Sequence, residues 1–547
     1  METKFLTPVG LWKNFNTQLD SAPEISYIDF SKKENYSVTK FYFTPIAEEG
    51  GKIRGYVEMY KPLEPTSKSI LIVGDTLKNQ QEAPYYQFID RGYTVMFLDL
   101  TGRLDNNRVA TLYQGDFSFG AFKNAKDLLY TATPSAEVSP YFLWSKICRR
   151  FLSFAEKELG IEKPIVIASG AFTPVLWHLG GMDERISGIV SLLGSAFNSR
   201  LVRKTDLDDN LDRWDTGIAP FTYARLLKCP ALIVTASNAP ESEHEGAFAI
   251  ANTIPEGASL SILVSPLLSG QIYHETLDSM ARWFDDRFEN SVAVPSSPVL
   301  EYALNDAMLD VKVKLPEIDK PLIGVDLWYC FNETNPVFRS WAFKGVRPNE
   351  EGSFESKIKV FPDCQVIYAY ATATYENQIS LSSPLIKVKI PEDAPRCKQV
   401  KSQLIYDNTM DKKFFSITKG LFADTNNMQV LKCPLGIPGV SVKSGELASY
   451  VVGEDLRFSI GEALQFNAYS LEDKQFEIFL VREIEENQYA VYSTVCNLPG
   501  EEGWQKLTIS LGDFRDSELK PLPSWKKLKM IRFKNAEGIL FNNMLWV

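Results

Sequence analysis

Residues 164–173 read PIVIASGAFT, and this stretch decides the fold. Its apolar run is typical of a buried strand, and Ser169-Gly170 is a turn signal ahead of a helical segment. The segment therefore predicts a strand, a sharp turn and a helix. Similar apolar runs recur among helical stretches at 69–73, 92–99, 189–193, 231–235 and 260–264. This alternation predicts an α/β domain over residues 1–293, with a doubly wound, mostly parallel sheet.

The pattern changes after residue 290, where helical periodicity largely disappears. Proline-rich stretches at 294–298 and 391–395 are plausible linkers. Between them, short alternating strands predict an immunoglobulin-like β-sandwich over residues 299–393. A further all-β stretch, residues 398–547, has the length of a jelly roll. We therefore expect one α/β domain followed by two all-β domains.

Composition excludes several classes of protein. The 547 residues carry a formal net charge of −11, which argues against nucleic acid as a partner because phosphates would not be neutralised. No apolar run is long enough to cross a bilayer, and no secretory signal is visible. The seven cysteines are scattered and form no CxxC pair, as expected of reduced thiols and not of disulfides or a zinc site. We expect a cytoplasmic protein without metal or other cofactor, and the oligomeric state stays open.

Several blocks in the first half resemble α/β hydrolases of the dienelactone hydrolase and acetyl xylan esterase type. The resemblance rests on the order and spacing of residues 70–74, 91–99, 182–190, 228–234 and 280–285. It implies an α/β-hydrolase fold with a catalytic triad. An active member of this family needs a serine in a G-x-S-x-G turn, an acid after a later strand and a histidine before the last helix.

All three triad positions are degenerate in this alignment. The turn at 169–173 places Ala171 at the nucleophile position, and a methyl group cannot attack a carbonyl. Ala239 stands where the aspartate belongs. Gln271 stands where the histidine belongs, and a glutamine cannot shuttle protons near neutral pH. The resemblance therefore predicts a hydrolase fold without hydrolase chemistry.

A displaced triad is the alternative, with Ser169 as nucleophile and His274 as base. The chain has three histidines, and the other two have structural interpretations. His178 falls within the helix after the turn, and His244 between two glutamates is typical of a solvated loop or helix start. No G-x-S-x-G occurs anywhere in the chain, which favours loss of catalysis over a displaced triad.

The last domain resembles the galactose-binding-like jelly roll of carbohydrate-binding modules, through residues 503–509, 513–514 and 538–546. Exposed aromatic side chains in such modules stack on sugar rings. Trp504, Trp525 and Trp546 are the candidates here, with burial in the core as the alternative for each.

Three hypotheses remain open. The first is a degenerate hydrolase-like protein that binds a small-molecule or carbohydrate ligand, or a partner. The second is an active serine esterase on acylated carbohydrate. The third is a scaffold whose β domains mediate self-association.

Overall fold

The computed structural model describes residues 4–18, 24–75, 85–102, 109–121, 130–194, 208–239, 243–255, 258–270, 272–289, 294–315, 321–376, 378–398, 403–410, 414–415, 428–450, 463–485 and 488–547. Its chain divides into two compact units. The first comprises residues 1–235, 243–263 and 279–296, and the second comprises residues 236–242, 264–278 and 297–547. The division into three domains stays a prediction.

One sheet forms the centre of the first unit. Its strands are β1 Ser26–Lys32, β2 Tyr36–Glu48, β3 Gly51–Pro62, β4 Ser69–Gly74, β5 Thr94–Asp99, β6 Leu112–Tyr113, β7 Ile165–Ser169, β8 Gly188–Leu192, β9 Ala231–Ala236 and β10 Leu260–Ser265. The order across the sheet is β1-β2-β3-β5-β4-β7-β8-β9-β10, with β6 beside β3. The neighbours from β5 to β9 are parallel, and β1, β2 and β3 join antiparallel. The predicted α/β architecture of this half is confirmed.

Helices separate the parallel strands, as the sequence predicts. They are α1 Pro8–Trp12, α2 Tyr86–Asp90, α3 Pro140–Phe154, α4 Thr173–Met182, α5 Asp209–Gly217, α6 Pro220–Ala224, α7 Glu243–Ala251 and α8 His274–Glu289. Helix α3 begins at a proline, whose missing N–H would have no helical partner in the first turn. Its apolar positions at helical spacing are buried in the core: Phe142, Ile147, Phe151 and Phe154.

The sequence did not predict β1, β2 or β3. These antiparallel strands mix polar and aromatic residues and lack the continuous apolar run of a buried parallel strand. Strand β2 also contains Pro45, and its register with β3 shifts between Phe43 and Ile46. A proline has no N–H to donate to a neighbouring strand, so the shift in register occurs at Pro45, where a ladder hydrogen bond would be missing.

His178 is a core residue of the first unit. Its side chain is fully buried on α4, where Nδ1 accepts a hydrogen bond from Ser145 Oγ at 2.9 Å and Nε2 donates to Ile218 O at 2.8 Å. The carbonyl can only accept, so the proton is on Nε2. The ring stacks on Tyr223 with centroids 3.9 Å apart. Burial lowers the pKa of His178 to about 4, and the imidazole is neutral at neutral pH.

The described part of the second unit contains four sheets. The strands of the first two are β11 Val299–Asn305, β12 Met308–Lys314, β13 Leu322–Phe331, β14 Ala342–Val346, β15 Phe354–Lys359, β16 Val366–Tyr375, β17 Ser380–Ser382 and β18 Ile386–Lys389. They form β11-β12-β15 and β14-β13-β16-β17, with β18 beside β16. The other strands are β19 Gln403–Tyr406, β20 Met428–Lys432, β21 Pro438–Val442, β22 Leu447–Ser449, β23 Ala463–Tyr469, β24 Lys474–Glu485, β25 Gln488–Leu498, β26 Gln505–Ser510, β27 Leu528–Lys534 and β28 Leu540–Trp546.

These later strands form β20-β21-β28-β23-β26, with β19 beside β28, and β22-β27-β24-β25. The β-rich character predicted for this half is therefore confirmed. The assignments to an immunoglobulin-like sandwich and a jelly roll stay predictions.

A buried ion pair connects the two β-rich segments of the second unit. Lys529 on β27 forms an ion pair with Glu333 and lies 3.2 Å from Glu483. Asn335 donates to the Tyr489 hydroxyl at 2.8 Å. Because a buried ammonium needs an opposite charge beside it, these contacts hold residues 333–335 against strands β24, β25 and β27.

We expect the unfolding free energy of the first unit to fall as the pH is lowered from about 6.5 to about 4. As the pH is lowered, a histidine in the unfolded chain gains its proton around pH 6.5. Folded His178 gains its proton only around its lowered pKa of about 4. Between these two values the unfolded state therefore binds more protons than the folded state. At about pH 5 the loss from this residue is about 2 kcal/mol. Urea unfolding followed by tryptophan fluorescence near neutral pH and near pH 5 measures it.

His178→Gln is the control, since its amide can accept from Ser145 and donate to Ile218 O without titrating. This variant should lose less stability on acidification than the unmodified protein. An equal loss in both proteins would contradict the assignment.

Candidate functional site

The turn after β7 is where the hydrolase resemblance places a nucleophile. Strand β7 ends at Ser169, and a single 3₁₀ turn over Gly170–Phe172 leads into α4. Gly170 has φ +51°, a left-handed conformation that residues with a side chain rarely adopt. The left-handed residue of the turn is therefore Gly170, one position before Ala171. Neither residue has a hydroxyl or a thiol, so in both registers the turn presents no nucleophile.

Hydrogen bonds to backbone carbonyls hold this turn. The Thr173 hydroxyl contacts both Gly170 O and Gly194 O, and the Tyr141 hydroxyl donates to Ala171 O at 2.8 Å. A Cβ atom on Gly194 would lie 2.2 Å from Gly170 O, so only glycine fits beside the turn. The Thr173 and Tyr141 hydroxyls thus serve the structure of the turn.

Aromatic packing surrounds the same turn. A Cβ atom on Gly74, at the end of β4, would lie 2.9 Å from the Phe172 ring. That ring also packs on Trp144, with centroids 5.2 Å apart. Ala171 is partly buried against the same core. The side chains that follow the apex are thus apolar, and they extend the core to the edge of the sheet.

Ser169 is the nucleophile of the alternative hypothesis. It is the last residue of β7, is paired with Leu192 of β8, and is partly buried. It lies in the first unit, as does Ala171.

Asp99, at the end of β5, is the buried carboxylate at this edge of the sheet. It accepts hydrogen bonds from Thr101 Oγ1 at 2.8 Å, Thr111 N at 2.9 Å and Gly102 N at 3.2 Å. Burial raises the pKa of Asp99. Its bonds connect the end of β5 to residues 102 and 111, which is a structural role.

The described residues that follow β9, where the hydrolase resemblance expects an acid, lie in the second unit and are buried. Ser237, Asn238 and Ala239 are each 0% exposed. The Asn238 amide donates to Arg339 O at 2.8 Å and to Val337 O at 3.2 Å, and Ser237 Oγ donates to Asn238 Oδ1 at 2.8 Å. This loop is bound to residues 337–339, and the Ala239 position has no access to solvent.

The loop before α8, where the base belongs, is also part of the second unit. Gln271 lies outside the described residues. His274 is the first residue of α8, and its side chain is exposed. Ser265 Oγ contacts Thr276 Oγ1 at 2.8 Å, and Tyr273 between them is buried. His274 is thus an exposed residue directly after a buried one.

The three tryptophan candidates differ in burial. Trp525 is 5% and Trp546 is 1% exposed, and their rings pack against each other with centroids 4.8 Å apart. Their burial favours the structural alternative. Trp504 is partly exposed, contacts Tyr469 with centroids 5.8 Å apart, and donates from Nε1 to Cys433 Sγ at 3.2 Å. Of the three rings, Trp504 is the one that retains an accessible surface.

Within the described ranges, no group of three or more His, Cys, Asp and Glu side chains is arranged to hold a metal ion. Over the same part of the chain, no helix is long and apolar enough to span a membrane.

No protein-family model matches the chain, and no curated protein matches it. Solved structures that are similar to this chain include an acetyl xylan esterase from Paenibacillus sp. R4. The match has 12% sequence identity, covers 48% of this chain and 88% of the esterase, and has a TM-score of 0.37. Acetyl xylan esterase 1 from Thermoanaerobacterium sp. JW/SL YS485 is 13% identical over 49% and 89%, with a TM-score of 0.33. A glucuronoyl esterase from Solibacter usitatus is 13% identical over 49% and 86%, with a TM-score of 0.35.

The sequence did not predict two residues that define the site. Gly170 is the left-handed residue of the turn, and the signal for it in the sequence is its place directly after a buried strand. Asn238 is the buried amide next to the acid position. No sequence pattern identifies it, because its partners are carbonyls about a hundred residues away.

We expect Asn238→Ala to lower the free energy of unfolding by about 2 kcal/mol, since two buried carbonyls lose their donor. Asn238→Asp should cost more, because a carboxylate cannot donate to a carbonyl. Thermal and urea unfolding measure both effects. Asn305→Ala, at an exposed amide in the same unit, is the matched control and should change stability little. Equal stability of the Asn238 and Asn305 variants would contradict the role of Asn238.

Proposed function

We propose that this protein is a catalytically degenerate α/β-hydrolase-like protein that acts by binding a ligand or partner. The observation that carries the proposal is the turn after β7. Its left-handed residue is Gly170 and the next is Ala171, so the position that must present a nucleophile carries a hydrogen or a methyl group.

The other two triad positions support the same proposal. Ala239 has no carboxylate, and its neighbour Asn238 directs its amide at backbone carbonyls. Of the three histidines, His178 is committed to Ser145 and Ile218 O in the core. A serine nucleophile needs an adjacent base to take its proton, and the oxyanion hole alone gives only residual catalysis.

An esterase that uses Ser169 and His274 is the second candidate. The observation in its favour is that Ser169 is partly accessible at the end of β7, and that the His274 side chain is exposed. Its substrate would be an acylated carbohydrate, as the resemblance in the sequence implies.

We propose carbohydrate as the ligand class, bound at Trp504. A tryptophan face stacks on the C–H groups of a sugar ring, and Trp504 is held by Tyr469, Cys433 and the backbone at Gly439. A Cβ atom on Gly439 would lie 2.6 Å from the indole, so the ring lies directly on that strand. An aromatic ring that is fixed before binding loses little entropy when a ligand stacks on it.

We expect the purified protein to form no covalent adduct with a fluorophosphonate probe, and to hydrolyse acetyl and p-nitrophenyl esters no faster than background. Gly170→Ser and Ala171→Ser should leave both results unchanged, because the added hydroxyl has no base. Ser169→Ala and His274→Ala serve as controls. Stoichiometric labelling of the unmodified protein that either control abolishes would establish the esterase in place of our proposal.

We expect soluble oligosaccharides from a plant-polysaccharide panel to bind in isothermal titration, and Trp504→Ala to weaken binding at least about tenfold, or about 1.4 kcal/mol. Tyr302→Ala removes another half-exposed aromatic ring of the second unit and should leave affinity unchanged. Thermal unfolding of both variants checks that they are folded. Equal affinity of Trp504→Ala and the unmodified protein would exclude this site.

A further inference from the structure

Strand β1 at the edge of the first unit exposes two aromatic rings. Tyr27 is 72% and Phe30 is 66% exposed, and β1 pairs with β2 on one side only within the described sheet. Exposed apolar groups of this size that lie together mark interaction sites more often than isolated ones do.

A β-bulge places both rings on the same face. The register of β1 against β2 shifts between Tyr27 and Asp29, so Tyr27 pairs with Phe41 and Phe30 pairs with Thr39. In a regular strand, residues three positions apart point to opposite faces. The bulge thus re-aims one of these rings, which is a common use of bulges at sheet edges.

A groove of about 450 Å³ lies beneath the two rings. Phe41, Met59 and Leu159 also line it, and Leu159 follows the end of α3. Phe41 is 1% exposed, so the groove reaches the hydrophobic core. The patch therefore has protruding aromatic rings and an apolar cavity side by side.

We propose that this face is a dimer interface, and that its occupant is a second copy of this chain. A two-fold interface needs one surface that complements itself, and this patch offers both the ring and the groove that can receive it. An antiparallel arrangement of the two β1 strands also brings the Asp29 part of one strand toward Lys32 and Lys33 of the other.

The area limits the strength of this dimer. Burial of the exposed parts of Tyr27 and Phe30 removes roughly 250 Å² of surface per copy, or roughly 500 Å² in the dimer, which is below the standard range of about 1,200 to 2,000 Å². We therefore expect a reversible dimer that dissociates in the micromolar range.

Sedimentation equilibrium of the full chain, from about 1 to about 200 μM, tests the proposal. The unmodified protein should show a monomer–dimer equilibrium, and Phe30→Glu should be monomeric throughout because it would bury a charge in the groove. Val495→Glu, at a 56% exposed valine in the second unit, is the matched control and should dimerise normally.

Reversal of the charges at Asp29, Lys32 and Lys33 tests whether these residues contact each other across the proposed dimer interface. Asp29→Lys should weaken the dimer, and the triple variant Asp29→Lys, Lys32→Glu, Lys33→Glu should restore it. A protein that is monomeric at about 200 μM overturns the proposal, as does a Phe30→Glu variant that dimerises as well as the unmodified protein. Dimerisation lost in Val495→Glu and retained in Phe30→Glu would place the interface on the second unit.

Discussion

The approach of Gly194 to the backbone of Gly170 is the constraint on which the centre of the first unit depends. With a Cβ atom excluded at Gly194, strands β7 and β8 can end side by side. The left-handed Gly170 then turns the chain from β7 into α4, and the Thr173 hydroxyl fixes both carbonyls. Glycine satisfies this geometry more easily than serine would, because it adopts a positive φ without a steric penalty. Glycine at position 170 therefore makes this sharp turn possible without strain.

Four buried polar residues of types found in hydrolytic sites, Ser145, His178, Asp99 and Asn238, form hydrogen bonds within the protein. A hydroxyl and an imidazole meet at Ser145 and His178 in the core. The Asp99 carboxylate accepts three hydrogen bonds from residues that follow β5. The Asn238 amide donates to two carbonyls. Each group is buried and satisfied, so its polar atoms stabilise the fold, whereas a catalytic group needs at least one atom directed at a substrate.

The parallel strands and the long helices could be predicted because each has a complete local pattern. Strand β7 is a continuous apolar run, and α3 repeats large apolar residues at helical spacing. Strand β2 lacks such a pattern. It is a strand because it pairs with β1 and β3, which its own composition does not reveal. The site is predicted less well than the fold for a similar reason. The turn that contains Ala171 follows a strand with a clear local pattern, but the φ of Gly170 and the partners of Asn238 depend on residues distant in sequence.

The burial of residues 237–239 after β9 bears on why position 239 holds alanine. Ala239 is 0% exposed, and the neighbouring amide is already committed to Val337 and Arg339. An aspartate at position 239 would be buried in the same place, where burial raises the pKa of a carboxyl and disfavours its charged form. A buried charge without a partner costs several kcal/mol, so the packed loop favours a small apolar residue there. The packing of residues 237–239 within the second unit is therefore compatible with alanine at position 239.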